Sequence, residues 1–178
     1  MNKSLWITGL ILVVIGAVTG VVVIPNPVGE KVWAEARYQG YVAYTPDEAV
    51  ATAYARCTTC HDADKILKYC SQCGPPFIVV SQSMKKYLEM ENEKGRNLKP
   101  FSDAEIVAIT QAWNALVGNW EPDWRLKDVK KLLQGDAALI HLAETPIEQR
   151  PIEMALKGKS APGSYLRIYD KGMAKSRE

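Results

Sequence analysis

The longest apolar run of the chain lies at its N-terminus. Residues Leu5 to Ile24 carry no charged side chain. A helix of about 20 residues, rising about 1.5 Å per residue, spans roughly the 30 Å of a bilayer core. The pattern therefore predicts a transmembrane anchor over residues 1–24. A cleaved signal peptide is the alternative, although its apolar region is usually only about 7–15 residues long.

Two later segments have apolar residues at helical spacing. Thr45, followed by a proline and by Glu48, forms a capping-box signature at the start of the first helix. Ser102 and Glu105 form the same signature ahead of the second, for which Gly118 is a plausible end. The apolar stripes that follow are Val50, Ala53, Tyr54 and Cys57 in the first helix, and Ile106, Ile109, Trp113, Leu116 and Val117 in the second.

These signals divide the chain into four parts. Residues 25–44 are rich in proline, glycine and aromatic side chains and are predicted to be a linker, and residues 45–120 are predicted to form a small all-α domain. Residues 121–178 form a long C-terminal extension, with one helix predicted over residues 127–142 and interrupted at Gly135. The end, residues 151–178, is poor in apolar residues and is not expected to build a core of its own. The predicted fold class is therefore all-α, with a single transmembrane helix, a small helical domain and an extension.

Composition and charge narrow the functional classes. Apolar residues make up 47% of the chain and charged residues 24%, which is the balance of an ordinary globular protein. The net charge of +2 gives no support to nucleic-acid binding, which needs a basic excess. The chain has only four cysteines and two histidines, so their positions can be considered individually.

The chemistry is concentrated in the motif Cys57-Thr58-Thr59-Cys60-His61. The pattern C-x-x-C-H is typical of covalent attachment of a c-type haem. Two thiols one helical turn apart can reach two vinyl groups on one edge of a haem, and the following imidazole can then reach the iron. The motif predicts one covalent haem c.

The stretch from Thr45 to about Trp120 resembles a class I c-type cytochrome domain, over about 75 of the 178 residues. The resemblance is carried by YARCTTCH, by GPPF, by YLEMENEKGRNL and by FSDAEIVAITQAWNAL. It implies an N-terminal helix that ends in the attachment motif, an irregular segment that covers the haem, and a closing helix packed across the first.

The resemblance also implies roles for individual residues. Cys57 and Cys60 would carry the thioethers, and His61 would be the proximal ligand and would donate a hydrogen bond to Pro75. Three distal ligands stay open: Met90, Met84 and His141. Ligation by Met and His would raise the reduction potential.

The second cysteine pair, Cys70 and Cys73, has no histidine after it. A local disulfide is one interpretation of the pair in an oxidising compartment. A zinc site that uses all four cysteines is the other, although the gap between the two pairs is shorter than usual.

Together these observations predict electron transfer rather than catalysis, in a subunit of a larger respiratory or photosynthetic redox complex. The predicted partners are membrane lipid, other subunits of that complex, and a redox protein as donor and as acceptor. The extension, and the G-x-x-x-G pair Gly16 and Gly20, would serve in docking. The predicted location is a bacterial inner membrane, with the N-terminus cytoplasmic and the haem domain periplasmic. The alternatives are a catalytic or sensory haem protein with an open sixth position, and a zinc-binding interaction module.

Overall fold

The computed structural model describes residues 27–62 and 74–159. These residues form seven α-helices and no strand. In chain order the helices are α1 (Pro27–Tyr38), α2 (Pro46–Cys57), α3 (Phe77–Glu93), α4 (Asp103–Val117), α5 (Leu126–Leu132), α6 (Ala137–Glu144) and α7 (Pro151–Leu156). Two short 3-10 turns, Glu121–Asp123 and Ile147–Gln149, lie between the later helices.

Helix α1 belongs to a unit of its own, residues 1–42, and forms inside the segment predicted to be a linker. The Arg37 guanidinium lies 6.0 Å from the centre of the Trp33 ring, at cation–π distance. The Gln39 amide donates a hydrogen bond of 2.8 Å to the Glu35 carboxylate one turn earlier. The prediction of a linker over residues 25–44 therefore missed a helix of 12 residues.

Residues 43 onward form the second unit, and α4 is its central helix. Helices α2, α3, α6 and α7 all pack against α4. Because α4 is surrounded, its buried positions cover most of its circumference, and Trp113 and Ile109 are almost fully enclosed. The main core joins α2, α4 and α7 with one residue of α3; its buried members are Ala49, Val50, Ala53, Cys57, Phe77, Ala108, Ile109, Ala112, Trp113, Leu116, Trp120, Ile152 and Leu156.

The predicted starts of α2 and α4, and the predicted end of α4, are confirmed. The Thr45 hydroxyl accepts a hydrogen bond from the Glu48 backbone N–H, and the Glu48 carboxylate accepts one from the Thr45 N–H. The Ser102 hydroxyl accepts a bond from the Glu105 N–H, and α4 ends at Gly118, where φ is +100°. These bonds satisfy backbone donors that a helix terminus leaves without partners.

The extension packs on the predicted haem domain. Helices α5 and α6 replace the one interrupted helix that was predicted, and the chain reverses between them at Gln134 and Gly135, both at positive φ. They form a second core cluster with α3 and α4, which comprises Ile78, Val79, Ile106, Val129, Leu133, Leu139 and Leu142. Residues 151–156 build no core of their own among the described residues, but they complete the main one through Ile152 and Leu156.

The membrane part of the predicted fold is corrected. Within residues 27–62 and 74–159, no helix is long and apolar enough to cross a membrane. The longest of them, α3, has 17 residues and carries charged side chains throughout its second half, from Lys85 onward. The predicted anchor, residues 1–24, lies outside the described residues, as do Gly16 and Gly20. The all-helical part of the predicted fold class is found, whereas the predicted transmembrane helix, and with it the single-pass topology and inner-membrane location, has no support among the described residues.

Candidate functional site

The attachment motif lies at the C-terminal end of α2 and in the turn after it. Cys57 is the last residue of the helix, and Cys60 and His61 follow in the turn. Two threonine hydroxyls fix this turn by donating to carbonyls of the last helical turn. Thr58 donates to the Tyr54 carbonyl at 2.9 Å and Thr59 to the Ala55 carbonyl at 3.1 Å. The intervening threonines of the motif therefore hold Cys60 and His61 at the helix end.

The two thiols have different environments. Cys57 is 4% exposed and belongs to the main core, whereas Cys60 is exposed. Burial raises the pKa of the Cys57 thiol to about 11, although the Trp113 indole and Arg56 act to lower it. His61 is half-buried, with Nδ1 3.2 Å from the Asp62 carbonyl.

A cavity of about 430 Å³ opens beside the motif. It lies between the end of α2 and one face of α3, two helices that both pack on α4. Its volume falls in the range of about 300–1,000 Å³ that is typical of small-molecule sites. The lining is mainly apolar or sulfur-bearing, and consists of Arg56, Cys57, Thr59, Cys60, His61, Val80, Ser83, Met84, Tyr87, Leu88, Glu91, Leu98 and Phe101.

The helical period of α3 decides which methionine reaches this cavity. Met84, Tyr87, Leu88 and Glu91 recur at spacings of three and four residues, so they share one face of the helix, and all of them line the cavity. Met90 lies six residues after Met84, on a different face, and is 50% exposed and not among the lining residues. The structure brings Met84 together with the attachment motif and leaves Met90 at the surface.

The remaining predicted residues lie elsewhere. His141 is exposed on α6, away from the cavity lining. Pro75 is exposed just before α3, and the neighbouring Gly74 carbonyl accepts a hydrogen bond from the Trp120 indole at 3.2 Å. Cys70 and Cys73 lie outside the described residues, so the predicted disulfide and the four-cysteine zinc site stay predictions. Residues 27–62 and 74–159 contain no group of three His, Cys, Asp or Glu side chains placed to hold a metal.

Arg56 connects the motif to the loop that closes the cavity. Its guanidinium lies 4.5 Å from the centre of the Phe101 ring. Its Nη2 atom donates to the carbonyls of Lys99 at 2.6 Å and Pro100 at 3.1 Å. Since Arg56 directly precedes Cys57, these contacts position Phe101 beside the attachment motif.

The same loop is held from the other side by α3. Asn92 binds both backbone groups of Leu98, accepting from its N–H at 2.6 Å and donating to its carbonyl at 2.8 Å. Gly95 and Asn97 lie between Asn92 and Leu98 and have positive φ, a backbone region in which glycine and asparagine are favoured. The loop therefore presents Leu98 and Phe101 to the cavity in a defined conformation.

Glu91 gives the cavity rim an acidic group that is already paired. Its carboxylate accepts from Lys94 at 2.8 Å and from Arg96 at 3.2 Å. These hydrogen bonds lower the pKa of Glu91, so it stays ionised.

Sequence reasoning missed most of the cavity wall. Val80, Tyr87, Leu88, Leu98 and Phe101 were not named as site residues, although all but Val80 lie in segments that carry the resemblance, and no helix was predicted over α3. The 3–4 spacing from Val80 through Met84 to Leu88 and Glu91 is the signal that could have indicated it.

The residues present fit a covalent haem in their chemistry. Two thiols and an imidazole stand on one side of an apolar cavity, and a thioether stands on the helix opposite. Thiol, imidazole and thioether groups are those by which c-type haems are attached and ligated. No family profile matches the chain, and no curated protein and no solved structure shows a significant match.

Proposed function

We propose that this protein transfers single electrons through one covalently attached haem c held in the cavity between α2 and α3. The observation that carries the proposal is that the attachment motif and Met84 line the same apolar cavity. In this proposal Cys57 and Cys60 carry the thioethers, and His61 and Met84 ligate the iron.

The haem, when bound, supplies reversible one-electron chemistry at its iron. The chain contributes the surroundings. Leu88, Leu98 and Phe101 exclude water from the cavity, which reduces the solvent reorganisation that accompanies a change in iron charge. Cys60 and Tyr87 are exposed at its edge, and this edge is where a redox protein donor or acceptor would approach.

The choice of Met84 as distal ligand rests on the helical register of α3. Met84 is half-buried against the main core and lines the cavity, whereas Met90 faces solvent. Exposed and buried side chains of one helix cannot exchange faces without unwinding it. The sequence alone left both Met84 and Met90 open as distal ligands, and the register of α3 favours Met84.

Attachment is tested by producing the chain together with a c-type haem maturation system. One covalent haem per chain, measured as the pyridine haemochrome of the denatured protein, is expected. A His61→Ala variant should lose the low-spin spectrum, and the matched variant His141→Ala should keep it. A colourless wild-type protein would overturn the proposal and would direct attention to zinc binding by the four cysteines.

The distal ligand is tested by replacing each methionine with leucine. Met84→Leu should remove the Met-to-iron charge-transfer band, lower the midpoint potential and allow carbon monoxide to bind the ferrous protein. Met90→Leu should change none of these. If Met90→Leu removes the band and Met84→Leu does not, the ligand assignment is wrong. Carbon monoxide binding to the wild type would favour the alternative of an open sixth site.

A further inference from the structure

A buried carboxylate lies directly behind the wall of the cavity. Glu105, in the first turn of α4, is 5% exposed. Its Oε1 atom is 3.2 Å from Arg56 Nε, but the two are not aligned as a hydrogen bond. Its Oε2 atom is buried and has no hydrogen-bond partner among the described residues. A buried carboxylate oxygen without a partner is costly while it is charged, and it is an available position for a proton.

The charged and titratable groups around Glu105 come from two neighbouring segments. Arg56 and the Cys57 thiol belong to α2, and Lys99 belongs to the loop before α4. Burial raises the pKa of Glu105, while Arg56, Lys99 and the Ser102 backbone N–H act to lower it. The outcome is a pKa above the ordinary value for glutamate, so protonation needs less acid than at an exposed site.

Two of those neighbours connect Glu105 to the cavity. Arg56 and Cys57 both line it, and Arg56 cannot turn freely because its Nη2 atom is bound to the Lys99 and Pro100 carbonyls. A change of charge inside the cavity therefore acts on Glu105 across fixed side chains with little intervening water. Charges separated by protein rather than water interact more strongly.

We propose that Glu105 binds one proton when the haem of the proposed function is reduced, and releases it on oxidation, so that electron and proton transfer are coupled. With the haem bound, a one-electron donor would supply the electron that takes the iron from ferric to ferrous. One proton from solvent water forms an O–H bond at the Glu105 carboxylate. The net charge of the site is conserved, and the reverse step returns both particles.

The sign of the coupling follows from electrostatics. Reduction removes one positive charge from the cavity, which makes a proton on Glu105 more favourable. The midpoint potential should consequently fall as pH rises between the two pKa values that Glu105 has with oxidised and with reduced iron. The steepest slope is one proton per electron, which is about 59 mV for each tenfold change in proton concentration.

The test is the midpoint potential of the haem-loaded full chain as a function of pH, for the wild type and for Glu105→Gln. Glutamine keeps the shape of the side chain and cannot titrate. The wild-type slope should be lost in Glu105→Gln, apart from any part that haem propionates give to both proteins. Glu91→Gln is the matched control, because Glu91 also borders the cavity but is paired with Lys94 and Arg96. It should shift the potential and keep the slope.

A second measurement does not depend on the variant folding. The redox-difference infrared spectrum of the wild type should contain a protonated carboxyl band that appears on reduction and moves in deuterated water. A pH-independent wild-type potential, or no such band, would overturn the inference while leaving the haem proposal standing. Absence of covalent haem would instead overturn the proposed function.

Discussion

The two sides of α4 are built differently. On the side of α7, a buried network of charged and amide side chains closes the core. Arg150, 3% exposed, donates to Glu121 at 2.7 Å, to Glu153 at 3.3 Å and to the Thr145 carbonyl at 2.9 Å. On the side of the cavity, apolar and sulfur-bearing groups face open space, and the ionised groups Arg56 and Glu91 stand at its edge.

On the side of α7, side-chain hydrogen bonds also join the extension to α4 and to the turn after it. The Gln111 side-chain oxygen accepts from the Ile152 N–H at 3.1 Å, which satisfies a backbone donor at the start of α7. Asn119 donates to Glu153 at 2.6 Å. The difference between the two sides indicates that the extension contributes to the core, whereas the face between α2 and α3 is left as an open cavity.

The largest effect on stability is expected from a truncation that removes α7. A chain that ends at residue 149 loses Arg150, Ile152 and Leu156, and each buried aliphatic side chain is worth about 1.5–3 kcal/mol. A chain that ends at residue 159 keeps all of them. Thermal unfolding followed by circular dichroism should show a cooperative transition only for the longer chain. Equal melting temperatures would show that α7 is dispensable, and the predicted docking role of the extension would then gain weight.

Removing Arg150 alone should be the next largest effect. In Arg150→Met the carboxylates of Glu121 and Glu153 remain buried without their cation, which costs about 3–5 kcal/mol in comparable cases. Arg125→Met, at the exposed pair with Asp128, is the control and should cost at most about 1 kcal/mol. Urea unfolding at neutral pH measures both. A small loss for Arg150→Met would mean that the network does not hold the extension in place.

The two thiols should differ strongly in reactivity in the haem-free chain. The pKa of Cys57 is raised from 9.0 to about 11, so near neutral pH it has about a hundredfold less thiolate than a thiol of ordinary pKa. Cys57 is also buried. Alkylation followed by peptide mass spectrometry should label the exposed Cys60 first. Similar rates for both residues would show that the end of α2 opens readily. Labelling after denaturation provides the control, because the two rates should then converge.

The smallest effect concerns pH. Burial raises the pKa of Glu153, so the folded state holds its proton to higher pH than the unfolded state does. The resulting stability is present below the ordinary value of 4.5 and is lost as pH rises through the raised pKa. Glu153→Gln should remove this loss, which makes the free energy of unfolding less dependent on pH above 4.5. An unchanged pH dependence would show that Glu153 stays ionised beside Arg150.

Local signals in the sequence were sufficient where the structure depends on neighbours along the chain. The Thr45 capping box, the Ser102 cap, the end at Gly118 and the interruption at Gly135 are all found where they were predicted. Each depends on hydrogen bonds or dihedral angles within a few residues, so the local sequence contains the whole cause.

Signals that depend on distant partners were not sufficient. Helix α3 was missed because its N-cap is Pro76, without a side-chain hydrogen bond, so that no capping signature marks its start. The extension was treated as a separate region because its few apolar residues, such as Ile152 and Leu156, cannot form a core alone. They are buried only because α2 and α4 supply the rest of that core.

The sequence by itself determined the all-helical class, the start of α2, both limits of α4, and the motif of Cys57, Cys60 and His61 that predicts a haem. Only the tertiary structure decided that Met84 rather than Met90 shares a cavity with that motif, that the extension completes the core, and that Glu105 is buried behind Arg56. The physical reason is that caps and covalent motifs are local. Which face of a helix is covered, and which charge is taken out of water, depends on segments that are far apart along the chain.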